Sequence, residues 1–250
     1  MTLVREGWAT LRRYTPARVG LGRTGVSLPT DRHLELQEAL ARARDAIQTE
    51  LDAPALASEL RSVGLASVML HSAAPDRPTY LRRPDLGRRL DDPSRRTLEA
   101  VRAGPVDLAL VVVDGLSTVA VQWQAAPLAA ALRDLLSGEG WRLAPVAIVQ
   151  QGRVAVGDEV GAELEARAAA VLIGERPGLS AADSLGIYVT WDPRVGRVDA
   201  ERTCISNVRP DGLSLAEAAR ALGGLLGQAR ALGCTGVALG RALAGRSIPA

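Results

Sequence analysis

Lysine and phenylalanine are absent from this sequence, and cysteine and histidine are scarce. All 30 basic residues are arginines, which excludes Schiff-base lysine chemistry and the lysine of a phosphate-binding P-loop. Two cysteines, Cys204 and Cys234, cannot form a disulfide framework, so a reducing compartment is expected. The two histidines, His33 and His71, have no partner at ligand spacing, so the sequence predicts no protein-built metal site.

Long apolar runs and a dominant charge are also missing. The apolar run 108–113 is far shorter than the roughly 20 residues that a membrane span needs, and residues 1–10 hold no signal-peptide core. The basic residues are balanced by 28 acidic ones, and a net charge of +2 points to neither a nucleic-acid nor a membrane partner. The 250 residues therefore predict a folded cytoplasmic protein of one large domain, or one domain with a small appendage.

The chain divides into two regions with different patterns of apolar and polar residues. Residues 1–104 are predicted to be mainly helical with loops, including a helix over 31–52 that Thr30 caps. Residues 105–250 alternate short apolar runs with helical patterns, which predicts an α/β fold with a Rossmann-like parallel sheet flanked by helices. The predicted strands are 106–113, 144–149, 170–173 and 187–190, and the predicted helices are 119–136, 158–170, 180–185 and 215–232, the last capped by Ser214.

Sheets of this kind bind ligands in the crevice beyond the carboxyl ends of their strands. Four polar or glycine-containing segments are therefore candidates for a site. They are 114–117 (DGLS), 150–154 (QQGRV), 174–178 (GERPG) and, in the long connection after the last predicted strand, 203–207 (TCISN). Segment 174–178 is the most informative, because its glycines allow a ligand to approach the backbone and Pro177 stiffens the turn.

Local sequence leaves the roles of several residues open. Glu175 and Arg176 either form a structural ion pair or contact a ligand. Cys204 is either a small buried hydrophobic residue or a thiol facing a ligand, and no histidine lies nearby in sequence to activate it. The arginine-rich run 81–90 is either a solvated face or a surface that docks an acidic partner or a phosphate. A G-x-G-x-x-G match at 20–25 follows no predicted strand, so a glycine-rich loop is preferred to a dinucleotide site.

Five motifs occur in one order along the chain: 82–90 (RRPDLGRRL), 112–117 (VVDGLS), 152–154 (GRV), 174–179 (GERPGL) and 199–207 (DAERTCISN). Each is weak alone, but together and in this order they closely resemble the small (light) subunit of ethanolamine ammonia-lyase. The resemblance extends from about residue 17 to 239.

The resemblance implies a subunit of an adenosylcobalamin-dependent carbon–nitrogen lyase that converts ethanolamine to acetaldehyde and ammonia. In that family the large subunit is a barrel that holds the substrate and the radical-handling residues. The small subunit covers the corrin from the other side, and the cofactor keeps its own nucleotide base on cobalt. This agrees with the absence of a D-x-H-x-x-G cobalt-ligating motif, since Asp31-Arg32-His33 is followed by Leu36 at the glycine position. His33 is therefore expected to be an exposed helix residue.

The resemblance also assigns roles to particular residues. Positions that touch cobalamin in the family fall on Val154, Glu175 and Cys204, all within the four strand-end segments. It implies no catalytic residue and no metal ligand in this chain, and no lyase activity of the chain alone. Residues 1–104 are expected to dock the large subunit, and residues 105–250 to contact cobalamin.

Enterobacterial members carry a long N-terminal extension linked to packaging in a bacterial microcompartment, and only residues 1–16 precede the resembling part here. A cytoplasmic enzyme is thus expected, with packaging as an alternative. Two other functions are open on the residues alone. A stand-alone nucleotide sensor would saturate with nucleotide and ignore cobalamin. A purely structural subunit would tolerate the change Glu175→Ala without loss of cofactor affinity.

Overall fold

A six-stranded mixed sheet lies at the centre of the fold, with its strands in the order β1-β3-β2-β4-β5-β6. The structure is a computed structural model that describes residues 8, 10–15 and 17–246. The strands are β1 (Ser67–His71), β2 (Val106–Val113), β3 (Val146–Gln150), β4 (Ala166–Gly174), β5 (Leu185–Trp191) and β6 (Arg202–Val208). The helices are α1 (Thr30–Gln48), α2 (Ala53–Ser62), α3 (Arg77–Arg82), α4 (Asp92–Val101), α5 (Thr118–Leu136), α6 (Val156–Glu163), α7 (Leu215–Leu232) and α8 (Gly236–Arg246).

The two faces of the sheet carry separate hydrophobic cores. Helices α2, α5 and α7 cover one face, where Leu110, Leu172 and Ile187 are buried against Leu132 and Leu222. Helices α4 and α6 cover the other face, on which alternate residues of β2 and β4 are buried. Because β2, β3 and β4 are buried on both sides, their sequences are continuous apolar runs. The sequence locates β2 and β3 well, but the prediction of a helix over 158–170 is wrong for residues 166–170, which belong to β4, because their alanines also favour helices.

The prediction of a parallel sheet holds for β1 to β4 and is wrong for β5 and β6. Strand β5 pairs antiparallel with β4, and β6 pairs antiparallel with β5. The predicted helix over 180–185 is a series of turns and bends. Without a helix between β4 and β5 the chain has no crossover to return it in the parallel direction, so it folds straight back.

Two further strands correct the sequence-based picture. Strand β1, inside the region predicted as helices and loops, pairs with β3, so residues on both sides of position 104 share one sheet. Segment 203–207, predicted to lie in a connection, belongs to edge strand β6. The helices α1 to α4 make up most of the remaining regular structure before residue 104.

Several local predictions are settled by the described residues. His33 is exposed on α1, as expected. Segment 20–25 follows no strand, and α1 begins only at Thr30, with Pro29 rather than Thr30 at the cap position. The long helix α7 runs from Leu215 to Leu232, with Ser214 as its cap and Gly233 in the left-handed conformation at its end. In the described part of the chain no helix is both long and apolar enough to cross a membrane.

Candidate functional site

An open cleft of about 390 Å³ lies where the strands β2, β3 and β4 end. Its walls are Tyr80 of α3, residues 115–116, 153–154 and 173–176, and Tyr188 of β5. Three of the four segments chosen by the strand-end rule thus border one cleft. The rule works here because β2, β3 and β4 are parallel, so their carboxyl ends meet at one edge of the sheet.

Asp114 fixes the backbone on one side of the cleft. Its buried carboxylate accepts hydrogen bonds from the backbone N–H groups of Gly115 and Gln151, both at 2.8 Å, and of Gly152 at 3.1 Å. Burial raises the pKa of Asp114, and these N–H groups together with the Arg77 guanidinium, 3.7 Å away, oppose that rise. The carboxylate therefore joins the loops after β2 and β3, and it holds Gln151 at a positive φ of 55°.

Glycines let the loops after β2 and β4 touch through their backbones. The N–H of Leu116 donates to the carbonyl of Gly174 at 2.9 Å. A Cβ at Gly115, whose φ is +61°, would collide with that same carbonyl, and a Cβ at Gly174 would collide with the carbonyl of Ser117. Larger residues at either position would push the two loops apart and widen the cleft.

Glu175 is held at the cleft by its neighbours. Its backbone N–H donates to the carbonyl of Ser184 at 2.9 Å, and Oε2 accepts the Ser184 hydroxyl and, at 3.4 Å, the N–H of Asn207. The side chain lies over Gly186, where a Cβ would stand only 2.9 Å from Oε1. The sequence left open an ion pair between Glu175 and Arg176, and the described residues show no such pair.

Arg153 and Tyr80 form the opposite wall. The Arg153 guanidinium stacks on the Tyr80 ring, 4.1 Å from its centroid, and Nη2 donates to the Tyr80 carbonyl at 3.0 Å. Arg77 lies against the same ring at 4.7 Å. Burial raises the pKa of Tyr80 to about 12 although both guanidiniums favour the phenolate, so its hydroxyl stays protonated at neutral pH. That hydroxyl and Nε of Arg153 are buried without a hydrogen-bond partner among the described residues.

The arginine-rich run contributes to this wall through its glycine. The carbonyl of Gly87 accepts the N–H of Arg153 at 2.7 Å, and a Cβ on Gly87 would stand 2.9 Å from the Arg153 side chain. Leu90 is buried, and its N–H donates to Glu159 of α6 at 2.8 Å. The arginines of the run are exposed. Both the solvated and the docking interpretation of these arginines therefore stay predictions.

Cys204 lies beside the cleft on the exposed side of edge strand β6. It pairs in register with Tyr188, which borders the cleft, and its sulfur is 3.1 Å from the hydroxyl of Ser206. The pKa of Tyr188 is raised to about 12 by burial and by its hydrogen bond with Cys204. The thiol is exposed, which excludes the buried hydrophobic role that the sequence left open.

Sequence reasoning missed Tyr80, Arg77 and Tyr188. Tyr80 and Arg77 lie on the short helix α3, which begins where Asp76 accepts the N–H of Thr79 at 2.7 Å, within the region predicted only as helices with loops. An aspartate followed by proline two residues later is a recognised helix start, so this signal was present. Among the described residues, no group of histidine, cysteine and carboxylate side chains has the arrangement of a metal site.

Comparison with known proteins agrees with this arrangement of motifs. Residues 5–240 match the family model described as ethanolamine ammonia-lyase light chain (EutC). The ethanolamine ammonia-lyase small subunit of Ralstonia nicotianae is 56% identical over 224 residues, which are 88% of this chain and 83% of that protein. The protein of the same name from Xanthomonas campestris pv. campestris is 55% identical over 94% of this chain and 88% of its own length. That from Pseudomonas syringae pv. tomato is 53% identical over 93% and 82%. This chain therefore belongs to the family of ethanolamine ammonia-lyase light chains.

Proposed function

We propose that this chain is the small subunit of an adenosylcobalamin-dependent ethanolamine ammonia-lyase, in which it walls the cobalamin while a large subunit holds ethanolamine and the catalytic residues. The observation that carries the proposal is the joint position of Val154 and Glu175 in one open cleft at the strand ends. Both lie within residues 5–240, the range that matches the family model. We propose further that residues 1–104 dock the large subunit and residues 105–250 contact the cofactor.

The donor set of the cleft fits a corrinoid. The edge of a corrin carries carboxamides, which need both acceptors and donors, and the cleft offers the Glu175 carboxylate on one wall and Arg153 on the other. The Tyr80 hydroxyl and Nε of Arg153 have no hydrogen-bond partner among the described residues, so this wall has polar groups that a ligand can bind. A corrin is far larger than 390 Å³, so an open cleft of this size suits one side of a site that another chain completes.

The chain's own residues bind, orient and exclude water. Glu175 accepts N–H groups through the oxygen that Ser184 and Asn207 leave free. Val154 contributes backbone groups at the start of α6, and Cys204 borders the same edge from β6. Adenosylcobalamin supplies radical chemistry through homolysis of its cobalt–carbon bond. The two tyrosines at the cleft stay protonated, so they act as hydrogen-bond donors and not as bases.

A cobalamin titration followed by absorbance tests the proposal, using the full chain co-expressed with its large subunit. Glu175→Ala is expected to weaken cobalamin binding by about tenfold or more, because it removes a charged acceptor. Asp134→Ala, at the exposed end of α5 and outside residues 1–104, is the matched control and is expected to leave affinity unchanged. Saturation with nucleotide but not with cobalamin would favour the stand-alone sensor instead. Unchanged cobalamin affinity in Glu175→Ala would favour the purely structural subunit.

A further inference from the structure

Arg153 is a cation without a counter-ion at the cleft. Among the residues that the structure describes, no carboxylate pairs with it, and its Nη1 makes no hydrogen bond. Arg77, by contrast, lies 3.7 Å from Asp114. Stacking on Tyr80 and the bond to the Tyr80 carbonyl hold the Arg153 guanidinium in place, so little side-chain freedom is left to lose when a ligand binds.

The start of α6 adds unused backbone donors beside Arg153. Ala155 is the cap residue, and no side chain caps the helix. Within the described chain, the N–H groups of Val154 and Ala155 donate to no other residue, whereas the N–H of Arg153 is taken by the Gly87 carbonyl. The N–H groups of residues 156–158 donate to the carbonyls of residues 153–155, and Asp158 and Glu159 already lie in the first turn of α6. The N–H groups of Val154 and Ala155 are therefore offered as ordinary backbone donors and not as a charged helix end.

Tyr80 provides an independent indication of a ligand. It is fully buried yet borders the cleft, and its hydroxyl has no hydrogen-bond partner among the described residues. Buried hydroxyls are almost always bonded, so an unpaired donor at the wall of a cleft points to a ligand oxygen. The charges that border the cleft favour an anionic ligand, because Arg153 and Arg176 outnumber the single carboxylate of Glu175.

We infer that Arg153, Tyr80 and the N–H groups of Val154 and Ala155 form a subsite for the phosphodiester of the cofactor's nucleotide loop. The inference rests on the proposed function, because it assumes that a cobalamin occupies the cleft. Carboxamides are neutral and the phosphodiester is the anion of that cofactor, so it is the group that an arginine without a counter-ion, beside unbonded backbone N–H groups, selects. Glu175, on the opposite wall, is left to accept carboxamide N–H groups.

Three corrinoids distinguish binding of the phosphate from all other contacts with the cofactor. Cyanocobalamin has the complete nucleotide loop, cobinamide phosphate has the phosphate but no ribose or base, and cobinamide has no phosphate, ribose or base. Their affinities are measured by absorbance titration on the complex of this chain with its large subunit. Arg153→Met is expected to weaken binding of the two phosphate-bearing corrinoids by about tenfold or more, and that of cobinamide by less than about twofold. Tyr80→Phe, which keeps the ring, is expected to cost about threefold on the same two corrinoids.

Arg153→Lys guards against a folding defect, because it keeps the charge and is expected to retain part of the preference for phosphate-bearing corrinoids. Arg241→Met, an exposed change on α8 and outside the region proposed to dock the large subunit, is the matched control and is expected to alter none of the affinities. Equal losses for all three corrinoids in Arg153→Met, or no loss for cyanocobalamin, would overturn the subsite while leaving the proposed function intact. Failure of the unmodified complex to bind any corrinoid would overturn the proposed function itself, and the subsite with it.

Discussion

Gly186 leaves space for the side chain of Glu175 at the cleft. A Cβ at this position would stand 2.9 Å from Oε1 and 3.1 Å from Cγ of Glu175, and 3.3 Å from the Tyr188 ring. Gly186→Ala is therefore expected to displace the Glu175 side chain and to weaken cobalamin binding by the complex about tenfold, close to the loss from Glu175→Ala. Absorbance titration of both variants measures the comparison.

Gly227→Ala is the matched control for that change. Gly227 lies inside α7 with nothing within 4 Å of an added Cβ. Alanine there is expected to raise the free energy of unfolding by about 0.5–1 kcal/mol, because it lowers the entropy of the unfolded chain. Cofactor affinity should not change. A Gly186→Ala protein that binds cobalamin as tightly as this control would show that Glu175 has room to move.

At the residue scale, position at the end of a predicted strand identified more of the residues that border the cleft than residue type did. Val154 and Glu175 were found because they follow buried strands that the apolar pattern locates well. Tyr80 could not be found in this way, since it reaches the cleft from α3 through tertiary packing against Arg153. Cys204 was expected in the connection after the last predicted strand, and this expectation is wrong because its segment is the edge strand β6.

At the scale of single elements, the buried ion pair between α6 and β6 ties the edge strand to the fold. Asp158 and Arg202 are both almost fully buried and make two hydrogen bonds, of 2.7 and 2.8 Å. Burial raises the pKa of Asp158 against the opposing effect of Arg202. Asp158→Ala is expected to lower the free energy of unfolding by about 3–5 kcal/mol, because it leaves the buried guanidinium with only the exposed Asp199, 3.5 Å away, as a counter-ion. Urea denaturation followed by circular dichroism measures the loss.

The double variant Asp158→Leu with Arg202→Met tests that explanation. Replacing both charges with apolar side chains removes the desolvation cost together with the attraction, so most of the lost stability should return. If the double variant is as unstable as Asp158→Ala, the loss arises from packing and not from an unpaired charge. Asp134→Ala, on the exposed end of α5, is expected to change stability by less than about 1 kcal/mol.

The start of α7 makes stability depend on pH. Ser214 and Glu217 cap each other, and the hydroxyl of Ser214, followed by its N–H, lowers the pKa of Glu217 below its ordinary value of 4.5. Because the carboxyl pKa is lower in the folded chain than in the unfolded one, the ionised Glu217 stabilises the fold at pH values above 4.5. This stabilisation is lost as the pH falls from 4.5 through the lowered pKa. Ser214→Ala is expected to lower stability by about 1 kcal/mol at neutral pH. In urea denaturation at a series of pH values, the difference from the unmodified chain should shrink below about pH 4.5. A constant difference would contradict the role of Glu217.

Element type was predictable where one apolar or amphipathic pattern ran without interruption, and strand direction was not. Residues 106–113 and 215–232 coincide with β2 and α7, since each has an uninterrupted apolar or amphipathic pattern. Strand β1 alternates buried and exposed residues over only five positions, too short a pattern to stand out among helices. The direction of β5 depends on what residues 175–184 do, and no local periodicity encodes that turn.

At the scale of the whole molecule, the proposed division of labour between two subunits predicts that the isolated chain has no lyase activity. Tyr80 and Tyr188 have pKa values raised to about 12, so neither removes a proton at neutral pH. Oε2 of Glu175 accepts hydrogen bonds from Ser184 and Asn207, and Oε1 is the oxygen proposed to bind the cofactor and not the substrate. The purified chain is therefore expected to release no acetaldehyde from ethanolamine with adenosylcobalamin, measured by coupled reduction of the aldehyde. Adding the large subunit should restore turnover, and Glu175→Ala should raise the cofactor concentration needed for half-maximal rate while leaving the saturated rate nearly unchanged. Robust turnover by the chain alone would refute the division of labour, because the substrate-handling groups would then have to lie in this chain.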